Sequence, residues 1–241
     1  VNGTKYRRIL KEDAGNSASS GSDAYRYFKW ERIRWRVLQN TDGTLRLMAD
    51  AALDGRMFHE REESAAWEDA SLRAWLNDTF YSTAFNERER SAIRQSAAQD
   101  KVSLLSVEDA SLRAYGFTEQ KGNTRSRRMA ASDYAKEMGV WMGGECCFWW
   151  LRTPGESDRH AAVVDQFGLI DLDGDSVTIT NNGVVPVLDL DRNADCFYLE
   201  DDGTSGSGGG AGGGSGEMIL LRQPSDQETT PGNGVTFSVE M

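Results

Sequence analysis

Trp149-Trp150-Leu151-Arg152-Thr153-Pro154-Gly155 is the stretch from which the rest of the chain is read. Two adjacent indoles carry a large apolar area that has to be covered. The arginine after them can fork onto a carboxylate or onto carbonyls. Thr-Pro-Gly then stops any helix and turns the chain. Residues N-terminal to this stretch read as scaffold. Those after it, as far as Leu190, read as short polar strands and exposed loops, and function is expected there.

Working outward, the segments after the tryptophans are strand candidates: Ala161 to Asp165, Leu169 to Asp171, Ser176 to Thr180 and Val184 to Leu190. Glycine turns join them into antiparallel pairs. Before the tryptophans the sequence predicts a strand over Thr4 to Leu10 and a loop over Lys11 to Asp23. Ile33, Trp35 and Val37 alternate with Arg34 and Arg36, the period of a half-buried strand. Asn40-Thr41-Asp42-Gly43 turns it into a return strand, Thr44 to Ala49. Helices follow. Ser71 caps one through Phe80, with Leu72, Trp75, Leu76 and Phe80 on one face. Asn86 and Glu89 have capping-box spacing for a second, to about Gln95. Ser106 with Asp109 opens a third that ends near Gly116, and Ser132 to Met138 forms a fourth, stopped by Gly139. Val102 to Leu105 reads as a short buried strand. Glu-Asp-Ala-Ser-Leu-Arg-Ala occurs at 68–74 and again at 108–114, but the flanks differ, so both copies read as helix starts and not as a structural repeat.

The 241 residues, 39% of them hydrophobic, suffice for one large domain or two small ones. No apolar run is long enough to span a membrane. The net charge of −11 is unevenly placed: residues 145–202 hold thirteen Asp and Glu against three Arg. Such a surface repels nucleic acid and anionic lipid and suits cationic partners. Three cysteines, two of them vicinal, make no disulfide framework. Cys196 could pair with Cys146 or Cys147, or all three could be free thiols.

The polar constellations yield little chemistry. Asp171-Leu-Asp173-Gly-Asp175 and Asp189-Leu-Asp191-Arg-Asn193-Ala-Asp195 place oxygens at alternate positions, as a calcium loop begins, but neither completes one. His59 and His160 have no His or Cys at ligand spacing, so no metal site is expected. A Cys–His nucleophilic pair requires the fold to bring His160 to Cys146 or Cys147. Arg125-Ser-Arg127-Arg128 reads as a solvated basic loop. No phosphate loop, dinucleotide fingerprint or nucleophile elbow is present, and no cofactor is expected.

Several ordered motifs together resemble a widespread bacterial and phage domain family. Ile33-Arg-Trp-Arg-Val-Leu38 resembles its entry strand. Trp67 with Ser71-Leu-Arg-Ala-Trp-Leu-Asn77, Phe80-Tyr81 and Ala84-Phe85 resembles its helical signature. Asp100 to Ser106 with Glu108, and Tyr134-Ala-Lys136 with Gly139, resemble the next two segments. The stretch at 149–155, then Ala162, Val164 and Gly168, then Gly183-Val-Val-Pro-Val-Leu188, resembles its C-terminal signature. There the family carries Gly-Val-Arg-Pro-Ala-Leu, so Val185 departs from the pattern.

That C-terminal signature is also similar to the C-type lectin-like fold of formylglycine-generating enzymes and of variable proteins diversified by retroelements. The resemblance implies an α+β, C-type lectin-like fold with mixed antiparallel sheets, several short helices and a loop-rich C-terminal half. Residues 1–202 then form one domain; by composition 203–216 reads as a Gly/Ser-rich linker or disordered loop, and Glu217 to Gln223 and Val235 to Met241 read as strands that pack back on the domain or begin a further small element. It implies a display domain on a cell or virion surface, not an enzyme, that binds a protein or other surface ligand. Nucleic acid and direct membrane insertion are not expected, and a monomer is favoured. The variable face would comprise Cys146, Cys147, Phe148, Ser157, Asp158, Arg159, His160, Asp165, Phe167, Asp171, Asp173, Asp175, Ser176, Thr178, Thr180 and Asn181. Arg159, His160 and Phe167 would be its anchors. The alternatives are an enzyme of the formylglycine-generating type, which needs a pair of reactive cysteines, and a structural interaction domain of a surface protein.

Overall fold

The computed structural model describes residues 6–10, 25–29, 32–62, 66–96, 98–200 and 218–221. The loop expected over Lys11 to Asp23, the linker at 203–216 and the strand expected over Val235 to Met241 lie outside the described residues.

The fold is α+β, mostly sheet with a few short helices. A two-stranded ribbon comes first, β1 (Tyr6–Leu10) against β2 (Tyr25–Lys29). The alternating segment forms β3 (Arg34–Thr41), which turns into β4 (Thr44–Ala49). Thr41 faces Thr44, so the loop is Asp42-Gly43 alone, and both residues have positive φ. Two left-handed residues match the twist of the flanking strands. The chain then reaches β5 (Asp54–Gly55) and the helical region, α1 (Ser71–Trp75), α2 (Tyr81–Ala84) and α3 (Glu87–Ala92), followed by β6 (Ile93–Arg94). Helix α4 (Asp133–Glu137) leads into a small hairpin, β7 (Met142–Gly143) with β8 (Cys146–Cys147).

The organising stretch is strand β9 (Trp149–Pro154). It is followed by β10 (His160–Val164), β11 (Ile170–Ser176), β12 (Gly183–Val184), β13 (Val187–Asp191), β14 (Phe197–Glu200) and β15 (Met218–Leu221). One sheet has the order β11-β10-β9-β12-β5, the other β14-β15-β3-β4-β13-β6. They are stitched where the chain passes between them. Ala49 N–H donates to the Pro186 carbonyl at 2.9 Å, and Leu53 N–H to that of Val184 at 2.9 Å. Strand β15 pairs with β3, so residues 218–221 join the six-stranded sheet.

Trp149 and Trp150 point to opposite faces of β9, and both are fully buried because both faces are covered. Each indole N–H finds a carbonyl, Trp149 that of Arg127 at 3.1 Å and Trp150 that of Arg56 at 2.8 Å. Trp35 shares their core, and Trp75 packs against it half-buried, its ring under the Arg56 guanidinium at 4.1 Å.

The helical expectations need correction in detail. Ser71 is not a cap. Ala70 occupies the N-cap, and the first helical donors are met from outside: Ser71 N–H by His59 Nδ1 at 3.2 Å, Leu72 N–H by the Phe58 carbonyl at 3.1 Å. The expected helix to Phe80 is not uniform, since Leu76–Phe80 is one wide π-turn. Asn77 sits in it, its amide donating to the carbonyls of Arg73 and Val102 while its oxygen accepts from Lys101 and Val102 N–H. A side chain bonding the carbonyl four residues back competes with the helix ladder. Helix α3 carries the expected capping box but ends at Ala92, because Ile93 turns extended to pair with β13. Ser106 and Asp109 do exchange bonds, but the third helix is two 3-10 turns, Asp109–Ser111 and Arg113–Tyr115, split by extended Leu112. Val102 to Leu105 is buried but makes only an isolated bridge, Ser103 with Val187. Ser176 to Thr180 is no strand: β11 ends at Ser176 and the chain turns back.

Glu89 is buried within its capping box, and burial raises its carboxyl pKa above the usual value. The folded state therefore holds that proton more tightly than the unfolded chain does. Its contribution to stability is present at low pH and lost as pH rises through the raised pKa. Gln keeps the bond to Asn86 N–H without the charge. Glu89→Gln should gain on the wild type in melting temperature as pH rises above the ordinary carboxylate range; a difference that stays constant with pH would contradict this.

Candidate functional site

Strands β9 and β10 are antiparallel, as are β10 and β11. The β9–β10 loop at 155–159 and the β10–β11 turn at 165–169 therefore lie at opposite ends of β10, about 16 Å apart. This geometry divides the face expected from sequence into three places. Ser157, Asp158, Arg159 and His160 lie at one end with Ser176 and Thr178. Asp171, Asp173 and Asp175 lie along β11, an edge strand. Cys146, Phe148, Asp165, Phe167, Thr180 and Asn181 lie at the other end. Cys147 belongs to no surface: it is fully buried, its N–H on the Met129 carbonyl, and it has to be removed from the face.

The second end is aromatic. Trp141 meets the ring of Phe148 edge to face at 5.4 Å and is itself 45% exposed. Its N–H donates to the Asn181 carbonyl at 2.9 Å, and Gly183 N–H to that of Phe148 at 2.7 Å, so backbone bonds fix the pair. Hairpin β7–β8 abuts the β10–β11 turn: a Cβ on Gly143 would lie 2.6 Å from Gln166 Cγ. Phe167, on that turn, is 48% exposed. Asp165 Oδ1 accepts from the N–H groups of Phe167 and Leu169, both at 2.8 Å, and sets the turn. Gln166 Oε1 is buried there with no hydrogen-bond partner.

Arg127 braces this end from below. It is fully buried, against the expectation of a solvated loop. Its Nε donates to the Gly168 carbonyl at 2.8 Å. Nη1 reaches those of Ala110 and Thr118 and the Thr118 hydroxyl, and Nη2 those of Gln120 at 2.7 Å and Gly122 at 2.6 Å. Burial lowers its pKa, yet a guanidinium stays protonated in proteins. Five fixed donors match a loop whose carbonyls converge; an ammonium could not span them. Gly168 has φ +82°, and a Cβ there would sit 2.0 Å from the Thr124 carbonyl oxygen. The Phe167 turn is thus locked onto the 118–124 loop.

The opposite end is quieter. Ser157 Oγ and His160 Nδ1 are 2.5 Å apart, and Arg159 N–H donates to the same hydroxyl, which makes a tight turn. His160 lies across the sheet from Cys146 and Cys147, so no Cys–His pair forms. All three cysteines are free, so Cys196 is bridged to neither. Burial, chiefly, pushes the Cys147 thiol up to about 12, where it is a poor nucleophile.

The family-like motifs build scaffold. Asp100 is buried and accepts from Trp67 Nε1 at 2.8 Å and Arg73 Nε at 2.6 Å. Arg152 donates to the Leu104 carbonyl at 2.8 Å and pairs with Asp109 at 2.9 Å. An open groove of 190 Å³ lies over the first network, lined by Glu68, Asp69, Arg73, Asn77, Gln99 and Asp100 among others. It is smaller than the roughly 300–1,000 Å³ of small-molecule sites, and Arg73, Asn77 and Asp100 are occupied with one another and with backbone.

Residues 42–192 match the model of a family described as a domain of unknown function, DUF6273. The chain belongs to the DUF6273 family. No curated protein and no solved structure matches it. The DUF6273 region runs from the β3–β4 turn through β13 and so contains both ends of the five-stranded sheet, while β1, β2, β3, β14 and β15 fall outside it. Val185 is buried inside it and takes part in no ion pair.

Four aspartates of the two Asp runs in the DUF6273 region have partners of their own. Asp171 Oδ1 accepts from Asp173 N–H, Asp175 from the Asn182 amide, Asp189 from Arg46, and Asp191 pairs with Arg94. Among the described residues no group of three or more His, Cys, Asp or Glu is placed to hold a metal ion. Saturating calcium should leave the melting midpoint unchanged; at ~100-fold saturation a real site would add about 2.7 kcal/mol, a rise of several degrees. Melting with calcium and then with chelator distinguishes the two.

Sequence reasoning missed Trp141, Gln166 and Arg127. Trp141 stands in Gly139-Val-Trp-Met-Gly-Gly144, and a large aromatic between glycines was the available signal. Nothing in Arg125-Ser-Arg127-Arg128 distinguishes the buried arginine from its exposed neighbours.

Proposed function

We propose that this DUF6273 domain is a binding module with a C-type lectin-like fold, and that its ligand, a protein or other surface ligand, seats on the aromatic end of the five-stranded sheet. The observation that carries the reading is the Trp141–Phe148 pair, held by backbone bonds and half open to solvent, with Phe167 on the adjoining locked turn. Large aromatics dominate binding hot spots, and braced ones lose little entropy on binding. Such a domain belongs on a cell or virion surface.

Retroelement diversification is the bolder form of this reading. Residue types reachable from randomised asparagine codons stand at Cys146, Phe148, Asp165, Thr180 and Asn181 of the aromatic end. Cys147 and Asn182 are also reachable, but they are buried and stand outside any display set. A near-copy of the segment encoding residues 141–188, differing at adenines and lying beside a reverse transcriptase gene, would support it. The formylglycine-generating alternative needs two reactive thiols, and the raised pKa of Cys147 weighs against it.

The test is a random-peptide library displayed on phage and panned on the wild-type domain. Trp141→Ser/Phe167→Ser should weaken the selected peptides at least about tenfold, while Asp158→Ser/Arg159→Ser at the opposite end should change them by less than about twofold. The reverse pattern would place the ligand at the β9–β10 loop.

A further inference from the structure

Four of the large hydrophobic side chains most open to solvent lie on one face of the β1–β2 ribbon. Tyr6 is 51% exposed and Tyr27 62%, and Leu10 and Tyr25 are exposed beside them. Tyr6 faces Lys29, Arg8 faces Tyr27 and Leu10 faces Tyr25 in the register. Directly opposed residues share a face, so these six side chains form one surface. The Arg8 guanidinium lies over the Tyr25 ring at 4.3 Å. The other face is covered: Phe28 meets Tyr134 edge to face at 5.4 Å, and Arg26 pairs with Glu137 at 3.1 Å.

The ribbon stands outside the DUF6273 region and carries the opposite charge. Residues 1–36 hold nine Lys and Arg against four Asp and Glu, net +5, in a chain of net −11. A complementary surface exists on the same molecule. Strand β11 is the outer strand of its sheet, and where its register against β10 shifts, between Asp171 and Asp175, Leu172 is 42% exposed and Asp173 is exposed beside it. An exposed apolar side chain beside an exposed carboxylate matches a tyrosine and leucine face carrying Arg8. Tyr and Arg are the residues that dominate hot spots between proteins.

We infer that the ribbon face docks on β11 of a second copy of this chain, a head-to-tail contact. It is independent of the aromatic end. Net repulsion between two acidic molecules is screened beyond about 8 Å at physiological salt, while the opposed patches meet inside that distance. A dimer so formed retains one unused ribbon, on one copy, and one unused β11, on the other, so the contact extends into chains or closes into rings. A face of two five-residue strands is about 17 Å long, below the size of a permanent interface, so association is weak and concentration-dependent.

Sedimentation of the full chain, from about 10 µM to about 1 mM, tests this. Wild-type mass should rise past that of a dimer, and less so in high salt. Tyr6→Ser/Tyr27→Ser and Leu172→Ser/Asp173→Lys should each weaken association at least about tenfold, with circular dichroism unchanged; Arg8→Glu serves as a second ribbon variant. The two double variants mixed should form a one-to-one dimer and nothing larger, because each keeps the surface the other lacks. A wild type that stays monomeric throughout overturns the inference. So does a β11 variant that still associates, which would make the occupant another ribbon, and so does a mixture that stays monomeric.

Discussion

Arg127→Met should destabilise the protein by about 3–5 kcal/mol, the range for removing one member of a buried charged network. The side chain donates to five backbone carbonyls and a hydroxyl, and methionine fills the space without replacing any donor. Each acceptor left dry costs on the order of 1–3 kcal/mol, and relaxation of the 118–124 loop toward water recovers part of that. Arg127→Lys keeps the charge but offers three donors from a single point, so it should recover only a fraction. Urea midpoints measure both. Because Gly168 is one of the five, the Met variant should also speed amide exchange in the Phe167 turn. A Met variant within about 1 kcal/mol of wild type would mean that the loop does not depend on the guanidinium.

Trp150→Ala should cost about 3–5 kcal/mol. The ring is fully buried, lies tilted against Phe58 with the ring centroids 5.7 Å apart, and donates to the Arg56 carbonyl. Alanine leaves a cavity between the central strand and the segment at 56–58, and it strands that carbonyl. Trp150→Phe keeps most of the apolar area and loses the bond, so it should fall between the two. An unchanged thermal midpoint for the alanine variant would contradict the place given to β9 at the centre of the fold.

The legible parts of this fold are those governed by local periodicity and turn chemistry. Alternation at Ile33, Trp35 and Val37 gave β3, Asp42-Gly43 gave the hairpin, and Asn86 with Glu89 gave a capping box. The illegible parts depend on tertiary partners. The heptapeptide at 68–74 opens α1 and buries Leu72, while the identical one at 108–114 makes two 3-10 turns and exposes Leu112. The first copy meets the His59 ring and the Phe58 carbonyl; in the second, Asp109 is engaged by Arg152 and Arg46. Propensity cannot distinguish them, because the sequences are the same.

The candidate site was legible as a region and not as a surface. The face expected from sequence runs from Cys146 to Asn181, but antiparallel pairing sends successive loops to opposite ends of the sheet, and a list in sequence order cannot express that. Phe148, Phe167 and Asn181 are joined only by strand order and by Trp141, which is not among the residues expected on the variable face. Arg159 and His160, expected as anchors with Phe167, lie a full strand length away from it.

Backbone amide and indole chemical shifts, followed while a peptide selected on the wild-type domain is titrated in, test the central claim most directly. The account predicts that the largest shifts fall on the Trp141 indole, Phe148, Phe167 and Asn181, with residues 157–160 nearly still. Shifts centred on residues 157–160 and Ser176, with the Trp141 indole unmoved, would contradict it.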